Sequence, residues 1–487
     1  MSFGPRLRDK TLGRGTALRR CRQAALMCCV ALAAGSAAVP VSAAPPSGAI
    51  SLPPSLIDAL GRDLGIDAAE YARRVALTTR LSEFARSARI AHPAAFAGVR
   101  MDGGRPIVSL TDGVSSRHAR AAAEAAGFTV ETVSASEATL RERRAAFERW
   151  LAAQTGAVAE SIFGYGIDLA DNSFAVRVAK DTQLPAEAGP VRAIAATMPE
   201  TWSDNTADEV RPIAAEGPDD AIVGGQSYAF EVDGEVHRCS FGFHATDAKG
   251  RAVNITAGHC DPNNLVAQAK RKQGPQRVFT VRGTSDKEYV PGEKPKLGTE
   301  LGYFEVSSFS PYDYGILRIN EAAAPRFRNN LVSAGELSPP TRSVVPPTLD
   351  TGSNTSQVPD ASIRESGVVP IDGTADPIDG AVVCKAGFRS GYSCGVVLAS
   401  GQVARLKGVP GHGDPVQFED MFITTLCGHQ GDSGGPIMAG TKAVGITSSI
   451  VTTATLFDGT CGHLPVLLGQ PLSRVLRDHP GLKVRTS

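Results

Sequence analysis

Long apolar runs are nearly absent from this chain of 487 residues. The one long run lies near the start, from Ala24 to about Val41, and Gly35, Ser36 and Pro40 interrupt it. A helix needs about 20 mostly apolar residues to cross a bilayer, so this run predicts no stable membrane anchor. The formal charges cancel to +0, which argues against nucleic acid as a partner and against an acidic tail. The chain also lacks an internal repeat and a phosphate-binding loop.

The apolar run has the features of a secretory signal peptide. Seven basic residues precede it, namely Arg6, Arg8, Lys10, Arg14, Arg19, Arg20 and Arg22. The small residues Val41-Ser42-Ala43 close it and supply a cleavage site. We therefore predict a signal peptide over residues 1–43 and a secreted, extracellular product. The pair Arg19-Arg20 leaves open whether export follows the general or the twin-arginine route.

Cysteine is missing between Cys29 and Cys239. Cys21, Cys28 and Cys29 fall within the predicted signal peptide. Export leaves six cysteines, an even number that predicts disulfides in an oxidising compartment: Cys239, Cys260, Cys384, Cys394, Cys427 and Cys461. Six cysteines allow 15 pairings, and their spacing alone does not choose among these.

The region from residue 44 to about 220 is predicted to be an α+β unit without an evident nucleophile. Apolar residues recur there at helical spacing: Leu56, Leu60, Leu64, Tyr71, Val75 and Leu77. Ser134-x-x-Glu137 is typical of a capping box at the start of a helix. Short β-like runs occur at 107–110 and 174–178. From about 183 to 220 the composition turns to Ala, Pro and acidic residues without periodicity, which predicts a linker.

The region from 221 to 487 is predicted to be an all-β barrel or sandwich followed by a short closing helix. Turn residues separate short β-like runs at 239–243, 253–256, 278–281, 301–306, 314–319, 396–398 and 443–447. The closing helix is predicted from Gln470 to Leu476. Residues 262–300 and 338–380 are predicted to be insertions that either form plain surface loops or wall a substrate groove.

The motif Gly431-Asp432-Ser433-Gly434-Gly435 carries most of the chemical information. Its glycines let the backbone bend sharply, so that the Ser433 hydroxyl is presented rather than packed. The same bend turns the N–H groups of Gly431 and Ser433 toward one point, where they could bind an oxyanion. A serine hydroxyl is a weak nucleophile, so the motif requires a base and an acid that orients it.

Both partners are available upstream. Thr256-Ala257-Gly258-His259-Cys260 offers His259 as the base, and Tyr312-Asp313-Tyr314-Gly315-Ile316 offers Asp313 as the acid. The order His259, Asp313, Ser433 is that of the chymotrypsin triad. An α/β-hydrolase would instead need partners after Ser433, for which Asp458 with His463 or His479 are the alternatives. A zinc site on Cys239, His259 and Cys260 would lack a C-x-x-C pair and would occupy the proposed base.

These three segments resemble the chymotrypsin-like serine peptidases, and within them the secreted bacterial streptogrisin and α-lytic protease branch. The resemblance implies a catalytic domain of two six-stranded antiparallel β-barrels over 221–487, with the site between the barrels. It also implies an α+β pro-region over 44–220 that folds and inhibits the protease. Asp102-Gly103-Gly104, Leu110-Thr111-Asp112 and Ile167-Asp168-Leu169 are similar to phrases of such pro-regions. An unrelated substrate-binding domain is the alternative for this region.

The resemblance also implies disulfide pairings and residue roles. It pairs Cys239 with Cys260, Cys384 with Cys394, and Cys427 with Cys461. His259 would act as general base, Asp313 would orient it, and the N–H groups of Gly431 and Ser433 would form the oxyanion hole. Asp432 would be buried and need a cation, either Lys385 or a new N-terminus at Ile222 after cleavage.

The specificity pocket is predicted from the same alignment. The position that is acidic in trypsin-like enzymes holds Cys427 here, followed by Gly428, so a pocket for basic side chains is not expected. Ser448 and Ile450 would line the opposite wall. Ile450 stands where the family commonly has glycine, which would narrow the pocket and favour small or medium apolar side chains.

The function predicted from the sequence is a secreted serine endopeptidase made as a self-inhibited prepro-protein. The alternatives are an esterase or a catalytically silent binding protein on the same fold. Protein or peptide substrates and the chain's own pro-region are the expected partners, and the protein is expected to be a monomer. No cofactor and no metal is predicted.

Overall fold

The computed structural model describes residues 52–196, 220–282, 296–334, 367–409, 411–450 and 466–486. The predicted signal peptide therefore lies outside the described residues.

Residues 52–196 combine helices with two groups of strands. In chain order they contain α1 (Pro54–Leu64), α2 (Ala68–Ala91), β1 (Phe96–Asp102), β2 (Arg105–Thr111), α3 (Ser116–Ala125), β3 (Thr129–Val133), α4 (Glu137–Ala152), α5 (Ala157–Glu160), β4 (Ile162–Asp168), β5 (Ser173–Val178) and β6 (Arg192–Ala195). β1, β2 and β3 form one sheet. Leu81 of α2 and Ala119 of α3 share a buried apolar core with Phe96 and Val108 of this sheet. The predicted helices and both predicted strands are present.

The start of α4 differs from the sequence prediction. Ser136 is the N-cap, and its hydroxyl accepts the N–H of Thr139. The hydroxyl of Ser134 instead donates to Asn172 Oδ1 at 3.2 Å. The capping box at Ser134 was therefore wrong, because the helix begins at Glu137 and the serine immediately before it reaches the free amide.

Residues 220–486 are almost entirely strands. In chain order they contain β7 (Ser227–Val232), β8 (Glu235–Ser240), β9 (Phe243–Thr246), β10 (Ala252–Thr256), β11 (Arg277–Arg282), β12 (Lys296–Ser308), β13 (Tyr314–Ile319), β14 (Leu331–Ser333), β15 (Val368–Pro370), β16 (Gly373–Thr374), β17 (Val382–Gly387), β18 (Gly391–Leu406), β19 (Val416–Thr424), β20 (Pro436–Ala439), β21 (Lys442–Ile450), β22 (Leu467–Pro471), α6 (Leu472–Asp478) and β23 (Lys483–Val484). The predicted β-rich region is present. The predicted closing helix is also present, but it begins at Leu472 rather than at Gln470, because Gln470 and Pro471 are the last residues of β22.

Two antiparallel sheets organise these strands. One runs in the order β23-β9-β10-β13-β12-β11-β7-β8. In the other, β17, β20, β21, β22, β19 and β18 are successive neighbours, and β18 pairs back with β17. The second sheet is therefore a closed ring of six strands. The first differs from a six-stranded barrel, because its described pairings form an open path of eight strands. The C-terminal tail adds β23 beside β9, and β8 and β9 are separate strands at opposite ends of the remaining path.

The predicted strand at 239–243 is divided in the structure. β8 ends at Ser240 and β9 begins at Phe243. Between them Gly242 passes very close to other backbone, since a methyl group there would lie 2.1 Å from the Ile255 oxygen and 2.6 Å from the Gly434 oxygen. The chain changes sheet partner at this crossing, which only a glycine can occupy.

The N-terminal region is joined to the ring of six strands by a shared sheet. β4 pairs with β18 at Val403↔Tyr165 and Ala404↔Gly164, and β5 and β6 extend the sheet beyond β4. On another side of the ring, Tyr71 of α2 accepts the Gly440 N–H at 2.7 Å. Leu52–Ser487 is one compact unit. The boundary between residues 220 and 221 remains a prediction.

β6 lies within the segment that composition predicts to be a linker. Arg192–Ala195 pairs in parallel with Ala175–Val178 of β5. The linker prediction was therefore wrong for these four residues, since a strand this short shows no periodicity of its own. Residues 197–219 lie outside the described part of the chain.

Within the described ranges, no helix combines the length and the apolar character needed to cross a bilayer.

Candidate active site

His259 and Asp313 lie at neighbouring strand ends. His259 is in the short helical turn Gly258–Cys260 that follows β10, and Asp313 directly precedes β13. The antiparallel pairing of these strands reaches Thr256↔Gly315 and so brings the two side chains together. The strands predicted at 253–256 and 314–319 already placed His259 and Asp313 beside strand ends.

The Asp313 carboxylate binds His259 through both oxygens. Oδ1 accepts the His259 backbone N–H at 2.8 Å, and Oδ2 accepts from Nδ1 at 2.7 Å. Both side chains are buried, with exposures of 3% and 1%. A proton on Nδ1 leaves the lone pair of the neutral ring on Nε2, which is the arrangement that a general base requires.

Two further side chains hold Asp313. The hydroxyl of Ser448 donates to Asp313 Oδ2 at 2.5 Å, so this side chain lies against the acid rather than in the wall of a pocket. The amide oxygen of Gln470 accepts the Asp313 backbone N–H at 2.9 Å. Sequence reasoning missed Gln470, because it lies 157 positions away and in no recognisable motif.

The loop that carries Ser433 is bound on several sides. The N–H of Ser240 donates to the Ser433 carbonyl at 2.8 Å, and the Ser240 hydroxyl donates to the Gly431 carbonyl at 2.9 Å. Gly434 donates its N–H to the Thr447 carbonyl at 2.8 Å. These bonds fix the loop backbone on both sides of the serine.

Gly434 presses the serine loop against the chain segment that leads to His259. A methyl group at Gly434 would lie 1.9 Å from Thr256 Oγ1 and 3.0 Å from the Ala257 nitrogen. Its φ of +81° is also one that side chains with a Cβ rarely adopt. The segment that carries Ser433 and the segment that leads to His259 are thus in direct contact.

The bend at the serine leaves two N–H donors available. Gly431 has a φ of +102°. Across the described residues, neither the Gly431 N–H nor the Ser433 N–H donates to a protein acceptor. Donors left unpaired on one turn of a reactive loop can bind an oxygen that gains negative charge.

Asp432 is completely buried and forms an ion pair. Lys385 Nζ lies 2.9 Å from Asp432 Oδ2, and both side chains have 0% exposure. The Ser390 hydroxyl also donates to this carboxylate, together with the backbone N–H groups of Arg389, Ser390 and His429. Burial alone would raise the pKa of Asp432, but the charge of Lys385 and these donors outweigh it, so the pKa lies below its ordinary value.

Ile222 lies elsewhere and already has partners. Its N–H donates to the Arg326 carbonyl at 3.0 Å, and its carbonyl accepts from His244 Nε2 at 2.7 Å and from Asn329 Nδ2 at 2.8 Å. Of the two cations that the sequence offered to Asp432, Lys385 is therefore the one that contacts it in the intact chain.

The predicted pocket residues Gly428 and Ile450 face each other. A methyl group at Gly428 would lie 3.4 Å from Ile450 Cγ1 and 2.7 Å from Leu467 Cδ1. Leu467 is fully buried and was not identified from the sequence. Aliphatic side chains thus surround Gly428, and no charged group is among its three nearest contacts.

Two of the implied disulfides are present, Cys239–Cys260 and Cys384–Cys394. Cys427 is also disulfide-bonded, and its predicted partner Cys461 lies outside the described residues. Cys239, His259 and Cys260 lie close enough to suggest a metal site. Because their two sulfur atoms are joined to each other, these cysteines offer no thiolate to zinc.

The start of the first insertion is tied to the turn that carries His259. Asn264 Nδ2 donates to the Gly258 carbonyl at 2.8 Å and to Ser307 Oγ at 2.7 Å. The Asn264 carbonyl contacts His412 Nε2, beyond β18, at 3.0 Å. Of the second insertion, residues 338–366 lie outside the described part, while β15 and β16 pair with β14 and β21. A role for these insertions in a substrate groove stays a prediction.

The α/β-hydrolase alternative finds no support in the described residues. His479 contacts the Tyr314 hydroxyl at 3.3 Å, and Asp458 and His463 lie outside the described ranges. The antiparallel sheets, the His259–Asp313 pair and the Gly-x-Ser-x-Gly loop are instead features of the chymotrypsin-like serine peptidases, which the chain resembles.

The chain is similar in sequence to known serine proteases of Streptomyces. No protein-family model matches the chain. Streptogrisin-C of Streptomyces griseus is 24% identical over 490 residues, which cover 99% of this chain and 85% of that protein. Serine protease 2 of Streptomyces fradiae is 26% identical over 211 residues, which cover 43% of this chain and 86% of that protein. The crystal structure of Thermobifida fusca Protease A has 23% identity and a TM-score of 0.35, over 55% of this chain and 100% of that one.

The match to streptogrisin-C spans nearly the whole chain, including the N-terminal region. The resemblance to the streptogrisin-like serine peptidases is thereby confirmed, and with it the prediction of a serine endopeptidase.

Proposed function

We propose that the chain is a secreted serine endopeptidase that hydrolyses peptide bonds through an acyl-enzyme and is made as a self-inhibited precursor. The observation that carries this proposal is the His259–Asp313 pair, which is joined by two hydrogen bonds. The loop that carries Ser433 packs against the end of β10, directly before His259. An acid, a base and a nucleophile on three adjoining segments are the parts that acyl transfer needs.

In the first half of the reaction, His259 Nε2 takes the Ser433 proton while Oγ attacks the substrate carbonyl carbon. The carbonyl electron pair moves to oxygen, and the N–H groups of Gly431 and Ser433 bind this oxyanion. When the tetrahedral intermediate collapses, the C–N bond breaks and His259 gives the proton to the leaving amine. Asp313 holds the imidazole and stabilises its charged form without taking the proton.

In the second half, water replaces the amine. His259 takes a proton from the water, whose oxygen attacks the acyl carbon, and the proton returns to Ser433 Oγ as the acid product leaves. Each oxyanion donor contributes roughly 3 kcal/mol to the stabilisation of the transition state. The Lys385–Asp432 pair has no chemical step, and its role is to fix the residue between the two donors.

The pocket is proposed to accept small or medium apolar side chains. Gly428, Ile450 and Leu467 supply aliphatic surface, and Ser448 contributes backbone while its hydroxyl binds Asp313. Ile450 narrows the space, so that an aromatic ring or an arginine side chain would be excluded. Efficient cleavage after Phe or Arg would refute this part of the proposal.

The N-terminal region is proposed to act as a pro-region that assists folding and then inhibits, after export directed by the signal peptide. The pairing of β4 with β18 supports this role. β4 adds to the part of β18 that extends beyond its pairing with β17, and a strand added there can act as a template for the sheet. The catalytic part is proposed to be two barrels with the site between them, in a monomer that acts on protein or peptide substrates.

The test compares the secreted products of the parent chain, Ser433→Ala and Ser227→Ala by intact mass and by casein hydrolysis. Ser227 is a half-buried serine outside the site and serves as the matched control. We expect the parent and the control to yield a shortened, active product, and Ser433→Ala to keep its N-terminal region. Casein hydrolysis that survives Ser433→Ala would contradict the proposal. Equal processing of all three chains would show that another protease cuts the precursor, and casein activity would then decide alone.

A further inference from the structure

The C-terminal part of the chain contacts every residue of Tyr312-Asp313-Tyr314. Gln470 of β22 accepts the Asp313 N–H at 2.9 Å. The Tyr314 hydroxyl donates to Asp478 Oδ2 at 3.0 Å. The guanidinium of Arg474 lies over the Tyr312 ring, 3.7 Å from its centre. We call Gln470–Asp478, which comprises the end of β22 and all of α6, the C-terminal clamp.

Gln470 is the part of the clamp that reaches the acid itself. Its side chain is completely buried, and its Nε2 has no hydrogen-bond partner in the described structure. A buried donor without a partner has a free-energy cost, because it loses its hydrogen bonds to water. A leucine at this position would avoid that cost, but it would leave the Asp313 N–H without its acceptor. The amide oxygen is therefore the atom that gives Gln470 a function here.

Asp478 and Arg474 contact the two neighbours of Asp313, since Asp478 binds Tyr314 and Arg474 lies over Tyr312. Arg474 binds both oxygens of Asp478, at 2.9 and 2.7 Å. Burial would raise the pKa of Asp478, but Arg474 and the Tyr314 hydroxyl outweigh it and keep the pKa below its ordinary value. Burial and the bond to Asp478 raise the pKa of Tyr314 to about 12, so its hydroxyl remains a donor. The attraction between the Arg474 cation and the Tyr312 ring adds to these contacts.

We propose that Gln470 is a positioning residue for Asp313, and that the C-terminal clamp sets the position of the catalytic acid. This inference rests on the proposed function. The Asp313 carboxylate is oriented by His259 and Ser448, but its backbone is anchored by Gln470. Without that anchor the carboxylate shifts relative to the imidazole, which weakens the stabilisation of the charged ring in the transition state. Substrate contacts do not pass through Gln470, so turnover suffers more than binding.

The test compares Gln470→Leu, Gln470→Glu and the parent as secreted, matured enzymes. In Gln470→Leu we expect kcat to fall at least about tenfold while KM changes less than about twofold. The acid limb of the pH profile of kcat/KM moves to lower pH, since a displaced carboxylate favours imidazolium less. Gln470→Glu keeps an acceptor of nearly the same size, so it recovers most of kcat.

A control variant separates positioning from general destabilisation. Leu468→Ala removes a buried apolar side chain of β22 that lies two residues before Gln470 and outside the C-terminal clamp. We expect it to lower the thermal midpoint at least as much as Gln470→Leu and to leave the acid limb in place. A loss of kcat in Gln470→Leu that merely follows stability, with the acid limb unchanged, would overturn the proposal. So would parent-like values of kcat in Gln470→Leu.

A second readout does not depend on turnover. In the full-length Ser433→Ala chain, proton NMR detects the His259 Nδ1–H far downfield while it is bonded to Asp313. We expect this signal to move upfield or broaden in Gln470→Leu and to return in Gln470→Glu. An unchanged signal would overturn the clamp even if the parent proved inactive, whereas an inactive parent with a changed signal would overturn only the proposed function.

Discussion

The buried ion pair behind the nucleophile gives the sharpest prediction about stability. Lys385→Met leaves the Asp432 carboxylate at 0% exposure with only the Ser390 hydroxyl and three backbone N–H groups as donors. Removal of one partner of a buried pair costs about 3–5 kcal/mol, because the remaining charge is left uncompensated. We expect the free energy of unfolding to fall by this amount at neutral pH.

The assay is urea unfolding of the full-length chain with Ser433→Ala, which prevents self-cleavage. Lys385→Arg keeps the charge and is expected to stay within about 1 kcal/mol of the parent. The double variant Lys385→Met with Asp432→Asn removes both charges and should recover at least half of the loss. Lys385→Met within about 1 kcal/mol of the parent, or a double variant as unstable as the single one, would refute the reasoning.

The pH dependence of the same variant follows from the direction of the Asp432 shift. A carboxyl group whose pKa is lowered by folding stabilises the protein above its ordinary pKa, and this contribution is lost as the pH falls. Without Lys385 the pKa of Asp432 rises relative to the parent. The stability difference between parent and variant should therefore shrink toward acid pH, and a difference that grows there would contradict the ion pair.

Three further predictions concern separate parts of the molecule. Gly431→Ala places a methyl group 2.6 Å from the Phe388 ring at a φ of +102°, which displaces the Gly431 N–H. The kcat on a peptide substrate should therefore fall by about 10²–10³-fold. A parent-like kcat would argue against Gly431 as an oxyanion donor. Burial raises the pKa of Asp379 to about 7, so the free energy of unfolding of the Ser433→Ala precursor should decrease as the pH rises toward 7. In urea titrations, Asp379→Asn should reduce this dependence of stability on pH. If the dependence persists in Asp379→Asn, another group is its cause. Ile450→Gly should widen the pocket and raise kcat/KM for substrates with Phe at the cleavage site relative to Ala, as measured with matched peptides; an unchanged ratio would remove Ile450 from the specificity wall.

Much of the fold could be predicted from local pattern. The predicted strand 314–319 has the bounds that the structure gives it, because Tyr314-Gly315-Ile316-Leu317-Arg318-Ile319 is a short β-like run that ends before Asn320. The Ser433 loop and its two upstream partners could be predicted because their chemistry demands particular residue types in a particular order. These features are encoded within short stretches of sequence.

The rest depends on contacts between distant segments. Nothing in the sequence around Gln470 indicates a role, because its contact with Asp313 depends on where β22 lies in the fold. Ser448 was assigned to the pocket, but a bulge in β21 near Thr447 accompanies the turn of its hydroxyl toward the acid. β6 is a strand only because β5 offers it a free edge. Pairing across the fold decides each case, and no local periodicity reports it.

Covalent labelling of the nucleophile tests the central claim most directly. The secreted, matured enzyme is treated with phenylmethylsulfonyl fluoride, which an activated serine attacks at sulfur with loss of fluoride. Peptide mass mapping then locates the sulfonyl ester. The account predicts one modified residue, Ser433, together with loss of casein hydrolysis. A label on another serine, or full activity after Ser433 is modified, would contradict the proposed catalytic residues.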